Sequence, residues 1–329
     1  MGLYSLNEWR LSRLKPSDLV IYAYSSFTAS WGAGPLLKEA FEKQCQCQIE
    51  IRDADDGRLL IQRLKLEGAH TGADVIVGLN QWDVDEAVEN LSFLPVPWQP
   101  SSSSWESFSQ SLALAPFLMP FDWGLLTVNT RQSSAAAGAK DLPSLLALLP
   151  PKSLALQDPR TSAPGLTVFL WLVQTLGEEE AFSYLRQLKQ KVFTIAPSWS
   201  LSYGFFQKGQ AEAVFSYVTS PIYHQQEEKD FNYLALELKE GLALHVELTG
   251  VLSTCRHCDR AKDFVRFLMT PEAQEILMKK NYMLPVDSAV AQKEPWRSVA
   301  QLKRTPLRPV SRAEKKRLLA RWSAWAREK

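Results

Sequence analysis

The chain has 329 residues, 46% of them hydrophobic and 22% charged, with eleven tryptophans; this is the balance of a soluble globular protein with apolar residues enough for two cores of ordinary size. No stretch approaches the ~18 continuous apolar residues of a membrane span, which excludes a bilayer-crossing helix. The formal net charge is only +1, but residues 297–329 hold eleven Lys or Arg against two Glu, so a basic tail and an acidic body attract one another.

Residues 1–18, MGLYSLNEWRLSRLKPSD, lack the unbroken apolar core of a secretory signal, because Asn7, Glu8 and Arg10 interrupt it. A cytosolic protein, or an exported one in processed or trimmed form, is expected from this. Residues 18–24, DLVIYAY, have the β-branched and aromatic content of a strand, and after SSFTASWGAG comes the amphipathic helix PLLKEAFEKQ. CQIEIRDA predicts a second strand, DDGRLLIQRLKLEG a loop entering a helix, and ADVIVGLN (73–80) a third strand. Strands alternating with helices predict a mostly parallel sheet, with ligands at the carboxyl ends of its strands. Those ends carry Tyr24, Ser25, Trp31, Asp55, Asp56, Gly57, Asn80 and Trp82.

Residues 95–120, rich in Pro and Ser, predict a surface loop and a lobe boundary. FDWGLLTVNT (121–130) reads as a strand, LPSLLALL as a short helix and LALQ (154–157) as another strand, leading to DPRTSAPG (158–165) and the apolar run LTVFLWLV. Here Asp158-Pro159 ends the strand, Thr161 and Ser162 are good N-caps, and Pro164 supplies the fixed φ of a first helical turn. Outward amides flanked by hydroxyls suit a phosphate, carboxylate or hydroxyl oxygen. On these eight residues alone a capped helix is the better reading. Ser198 and Ser220 open two further helices, after the strands KVFTIA and AEAVFSYVT, so three helix starts are expected on one rim.

From Gly241 the extended run LALHVELTGVLST is suited to returning the chain to the first lobe, and AKDFVRFLMTPEAQEILMKK predicts two helices joined at Thr270-Pro271. The tail has helical spacing at Leu318, Trp322 and Trp325 and a capping box from Ser311 to Glu314, and is read as a helix packed on the acidic body. The expected division is 1–120 and 248–329 for one lobe, ending in the basic amphipathic helix, and 121–247 for the other. The four cysteines form two close pairs, Cys45 with Cys47 and Cys255 with Cys258. Disulfides in an exported protein, redox dithiols in a cytosolic one, or a four-thiolate zinc site if the pairs meet all stay open, with the tight C-x-C spacing against zinc. His224 and His257 are lone histidines and are not read as metal ligands.

YSSFTASWGAGPLLKEAFEKQCQCQIE, DDGRLLIQRLKLEG, ADVIVGL, PFDWG, QDPRTSAPGL, SWSLSYGFFQKG and SYVTSPIYH occur in that order, followed by the helix pair FVRFLMTPEAQEIL and NYMLPV. Over residues 18–290 this resembles the extracytoplasmic solute-binding proteins of ABC importers and, within them, the thiamine-binding family. The helix pair is common to many such proteins, whereas the earlier motifs are the specific part. The resemblance implies an α/β, two-lobed periplasmic-binding-protein-like fold, each lobe a mostly parallel sheet flanked by helices, joined by a hinge. It implies a periplasmic monomer without catalytic residues, cofactor, metal or nucleic-acid partner. Such a protein closes on thiamine or thiamine phosphates and presents the ligand to the membrane permease of an ABC importer.

Carried over residue by residue, the family's ligand contacts fall on Asp56, Gly57, Ser162, Ala163, Trp199, Tyr217, Val218, Thr219 and Ser220, and Tyr24, Trp31, Tyr223 and Tyr282 match further aromatic positions around the ligand. The family commonly has a tryptophan at the position of Tyr282, a hydroxyl residue at Ala163 and an acid at Asn80. Thiamine joins a cationic thiazolium to a flat aminopyrimidine. That chemistry calls for aromatic faces, worth about 0.5 to 2 kcal/mol per desolvated contact, which Trp31, Trp199, Tyr217 and Tyr223 supply, and for an acid such as Asp55 or Asp56. Its hydroxyethyl end, or the phosphates, would sit by Ser162 and Thr219/Ser220. The rival readings are a ferric-ion or polyamine carrier on the same architecture, for which adjacent tyrosines or several carboxylates are wanted, and a thiamine-related enzyme, for which a nucleophilic Cys near the strand ends is wanted.

Overall fold

The computed structural model describes residues 17–54, 57–96, 117–305 and 307–328. Asp55, Asp56 and most of the Pro- and Ser-rich loop lie outside the described residues. The first unit is three parallel strands: β1 (Leu19–Ala23) between β2 (Ile49–Asp53) and β3 (Val75–Asn80). Every residue of β1 and β3 is buried, as expected of strands covered on both faces by helices. The helices Ala33–Cys45 and Cys258–Phe267 cover one face, where Phe41 meets Phe264 edge-on at 5.3 Å, and Gly57–Glu67 packs against the other.

After the short strand β4 (Phe93–Leu94), the thirteen-residue β5 (Met119–Arg131) leads to a second parallel triplet. In it β6 (Leu154–Gln157) lies between β7 (Val192–Ala196) and β8 (Ala213–Tyr217). β9 (Tyr233–Ala235) pairs with β5. The long β10 (Leu242–Leu252) then returns antiparallel to both β5 and β3, and the chain ends with β11 (Leu284–Pro285), β12 (Arg304–Thr305) and the helix Arg312–Arg327. The sheet order β2-β1-β3-β10-β5-β8-β6-β7 places the two long strands side by side between the triplets. The extended run after Gly241 thus carries the chain back across the molecule.

The helix Ala163–Leu176, apolar nearly all round, is buried under the helices Glu178–Leu188 and Arg312–Arg327. Trp322 of the tail helix meets Phe169 at 5.2 Å and Trp325 at 4.6 Å. Ser311 Oγ accepts the Glu314 amide as the N-cap. Arg317 and Arg321 bind the carboxylates of Glu178 and Glu179, and their guanidiniums hold Glu178 down at about 2. Lys315 donates to the carbonyl of Trp82, on the loop after β3, and Arg312 pairs with Glu89. The basic tail is a helix on an acidic surface, as its spacing predicts, and it touches both triplets. Each cysteine pair is closed as a disulfide, Cys45–Cys47 and Cys255–Cys258, with no free thiol. The dithiol and four-thiolate alternatives are therefore not the state of this structure.

Candidate functional site: an aromatic cleft

A cleft of about 470 Å³ opens at the carboxyl ends of β1, β3 and β8, within the usual size of small-molecule sites, ~300 to 1,000 Å³. Tyr24, just past β1, lays its ring against β3 where only hydrogen fits. Gly78 has φ +104°, and a Cβ there would stand 2.1 Å from Tyr24 Cδ1. Tyr217, the last residue of β8, lies similarly against Gly124 of β5, where a Cβ would be 2.7 Å from its ring. Trp199, the first residue of the helix Trp199–Gln207, stacks on Tyr203 at 5.1 Å and donates from Nε1 to Ser216 Oγ at 3.0 Å. Tyr223 and Tyr282 meet edge-on at 5.3 Å. Trp31 also lines the cleft, with 57% of its surface exposed.

Of the residues expected at the site, Tyr24, Trp31, Ala163, Trp199, Tyr217, Thr219, Ser220, Tyr223 and Tyr282 line this one cleft. Ser162 and Val218 are placed differently. Ser162 is fully buried and its Oγ accepts the Gly165 amide at 3.3 Å, while Pro164 has no N–H to offer. The helix start at 162–165 therefore presents fewer outward donors than its sequence suggests. Val218 points into the core, 6% exposed. Gly57 opens the helix Gly57–Glu67, and Asp56 lies outside the described residues. Thr219 Oγ1 donates to the Tyr282 carbonyl at 2.6 Å, and the Ser220 and Ser216 hydroxyls are 2.9 Å apart. The third helix is a single turn, Ser220–Tyr223.

Asn80 and Trp82 are also internal. Asn80 Oδ1 accepts the Trp82 amide at 2.8 Å, and Trp82 packs in the core with Nε1 donating to Thr167. His224 is buried between Tyr203 and Glu228, with Nε2 2.8 Å from the Tyr203 hydroxyl and Nδ1 2.6 Å from Glu228 Oε2. The disulfides border a different and larger groove of about 760 Å³. Charged residues there pair with one another or with neighbours, as in Arg260–Asp18 at 3.0 Å and Arg266–Asp263 at 2.6 Å, and among the described residues none of those expected at the site lines it.

The residues missed from sequence lie at the floor. Glu247 of β10 and Asn281 line the cleft. Tyr24 donates from its hydroxyl to Glu247 Oε2 at 2.6 Å, while Asn281 Nδ2 donates to the Tyr24 hydroxyl at 2.8 Å and to Asp122 Oδ2 at 2.7 Å. Burial, with Glu247 and Asp122 nearby, pushes the Tyr24 phenol well above its ordinary range. The available signal is a carboxylate inside the mostly apolar strand LALHVELTGVL.

A model of the bacterial extracellular solute-binding protein family matches residues 37–304. The thiamine-binding periplasmic protein of Brucella melitensis is 36% identical over 273 residues, 81% of this chain and 78% of its own length. A solved periplasmic thiamin binding protein matches with a TM-score of 0.77 at 30% identity, over 93% of each chain. The ferric binding protein from Campylobacter jejuni, at 16% identity and a TM-score of 0.71 over 94% of this chain and 97% of its own, shares the fold alone. By its matched residues and its two-lobed α/β fold, the chain belongs to the bacterial extracellular solute-binding proteins.

Proposed function

We propose that this protein binds thiamine in the aromatic cleft, outside the cytoplasmic membrane, and presents it to the permease of an ABC importer. The observation that carries the reading is the wall of Trp199, Tyr217, Tyr223 and Tyr282 facing Tyr24 and Trp31, in a chain 36% identical to a thiamine-binding periplasmic protein. Flat and cationic rings are held by such faces, at about 0.5 to 2 kcal/mol per desolvated contact. The protein captures and releases its ligand without chemistry. It works as a monomer and holds its ligand between the lobe that carries β1 to β3 and the lobe that carries β6 to β8. Unphosphorylated thiamine is preferred over its diphosphate, because Ser162 is fully buried with its oxygen holding the Gly165 amide, and Lys280 is paired with Glu227 at 3.3 Å.

The test is a tryptophan-fluorescence titration, with thermal shifts in parallel, of thiamine, its mono- and diphosphate, spermidine and ferric citrate, since only a ligand of the native state raises the unfolding midpoint. Thiamine should bind with sub-micromolar affinity. No response below millimolar thiamine, or a tighter response to spermidine or ferric citrate, would sink the assignment.

A further inference from the structure

Two carboxylates lie side by side under the cleft. Asp122 of β5 and Glu247 of β10 are register partners, a placement that brings opposed Cβ atoms to about 4.5–5.5 Å. Asp122 is wholly buried, and Glu247 is 7% exposed with its open side toward the cleft. The other titratable groups facing them are Tyr24, past β1, and His245, on β10 itself, whose Nε2 is 3.7 Å from Glu247 Oε1. His245 is turned by its other nitrogen, 2.8 Å from Thr167 Oγ1. No Lys or Arg among the described residues forms an ion pair with either carboxylate.

Two buried acids in contact cannot both hold a charge at modest cost, and the arrangement that lowers the cost is a proton shared between them. Asp122 shows where it resides. Its Oδ1 is buried and receives no N–H or O–H donor, and burial and then Glu247 push its carboxyl well above the usual range. The proton on Asp122 is thus directed to Glu247, and the remaining single negative charge faces the cleft, held in place by the Tyr24 hydroxyl. A buried charge without a close partner is expensive, and at the floor of a ligand cleft its partner is the ligand. We infer that Glu247 is the group that selects a cation in this cleft, with Asp122 opposite it keeping the pair at a single negative charge.

This inference rests on thiamine being the ligand, and its test separates the two. The wild-type protein and Glu247→Gln are titrated with thiamine and with an isostere whose thiazolium is replaced by an uncharged five-membered ring. The wild type should prefer thiamine by at least about tenfold, the ratio equivalent to one modest buried charge contact. Glu247→Gln should bring that ratio close to one, which a merely structural role for Glu247, weakening both ligands alike, would not do. The wild type also supplies a test that needs no variant. Lowering the pH until the carboxylate pair loses its negative charge should weaken thiamine more than the isostere, the aminopyrimidine common to both cancelling from the comparison. An undiminished preference in Glu247→Gln, or parallel pH profiles for the two ligands, overturns the inference. A wild type that binds neither ligand overturns the thiamine assignment and this inference with it, whereas equal binding of both overturns this inference alone.

Discussion

Tyr24 illustrates how a site residue is legible in sequence while its working environment is not. Its position past an apolar strand marks it for the cleft, but the ring is seated by Gly78, the hydroxyl is held by Glu247, and Asn281 donates to it from far along the chain. The same holds for Asp122, which in sequence is one acid in the strand FDWG. Its carboxyl titrates higher in the folded protein than at the ~3.9 of an unfolded Asp, so its contribution to stability is fully present below about pH 4 and is lost as the pH rises through the folded value. Asp122→Asn keeps a donor toward Glu247 and does not titrate. Urea unfolding should therefore show the variant gaining on the wild type as the pH rises from 4 to neutral, and a pH-independent difference between them would contradict the raised carboxyl.

Helix caps expose the limit of reading an element locally. Ser162, Ser198 and Ser311 each cap the helix predicted for them, accepting the amides of Gly165, Leu201 and Glu314. Yet an amide taken up by its cap is not available to a ligand, and outward amides flanked by hydroxyls are what the sequence leads one to expect at Ser162. Capping and ligand binding compete for the same helix-end amides, and only coordinates show which use prevails. The tail helix was better specified, because its apolar stripe and its basic face predict the same docking onto an acidic surface. Trp322 is 3% exposed within that interface, and replacing a buried Trp by Ala usually costs about 3–5 kcal/mol. Trp322→Ala should lower the denaturant stability by that order, whereas an unchanged unfolding midpoint would show that the tail is not part of the core it covers.

At the scale of the molecule, the disulfides join residues two and three apart in sequence. Loops this short remove little entropy from the unfolded chain, roughly 1.5 kcal/mol per bridge in the chain-entropy model. Ellman titration in denaturant should find no thiol before reduction and four after, with only a modest fall in the unfolding midpoint; four thiols before reduction would refute the pairing. Such bridges suit an oxidising compartment, in keeping with an extracellular solute-binding protein. By itself the sequence determined what short-range physics decides: apolar strands alternating with helices, the caps, the amphipathic tail, and the aromatic residues at strand ends that line the cleft. Tertiary structure alone decided that Asp122 and Glu247 lie opposite each other, that Ser162 turns inward and that Val218 is core. The first depends on the register of β5 against β10, strands more than a hundred residues apart, and the others on competition for a shared amide and on which face of a chain segment meets the core. Neither register nor such competition leaves a local signature in the chain.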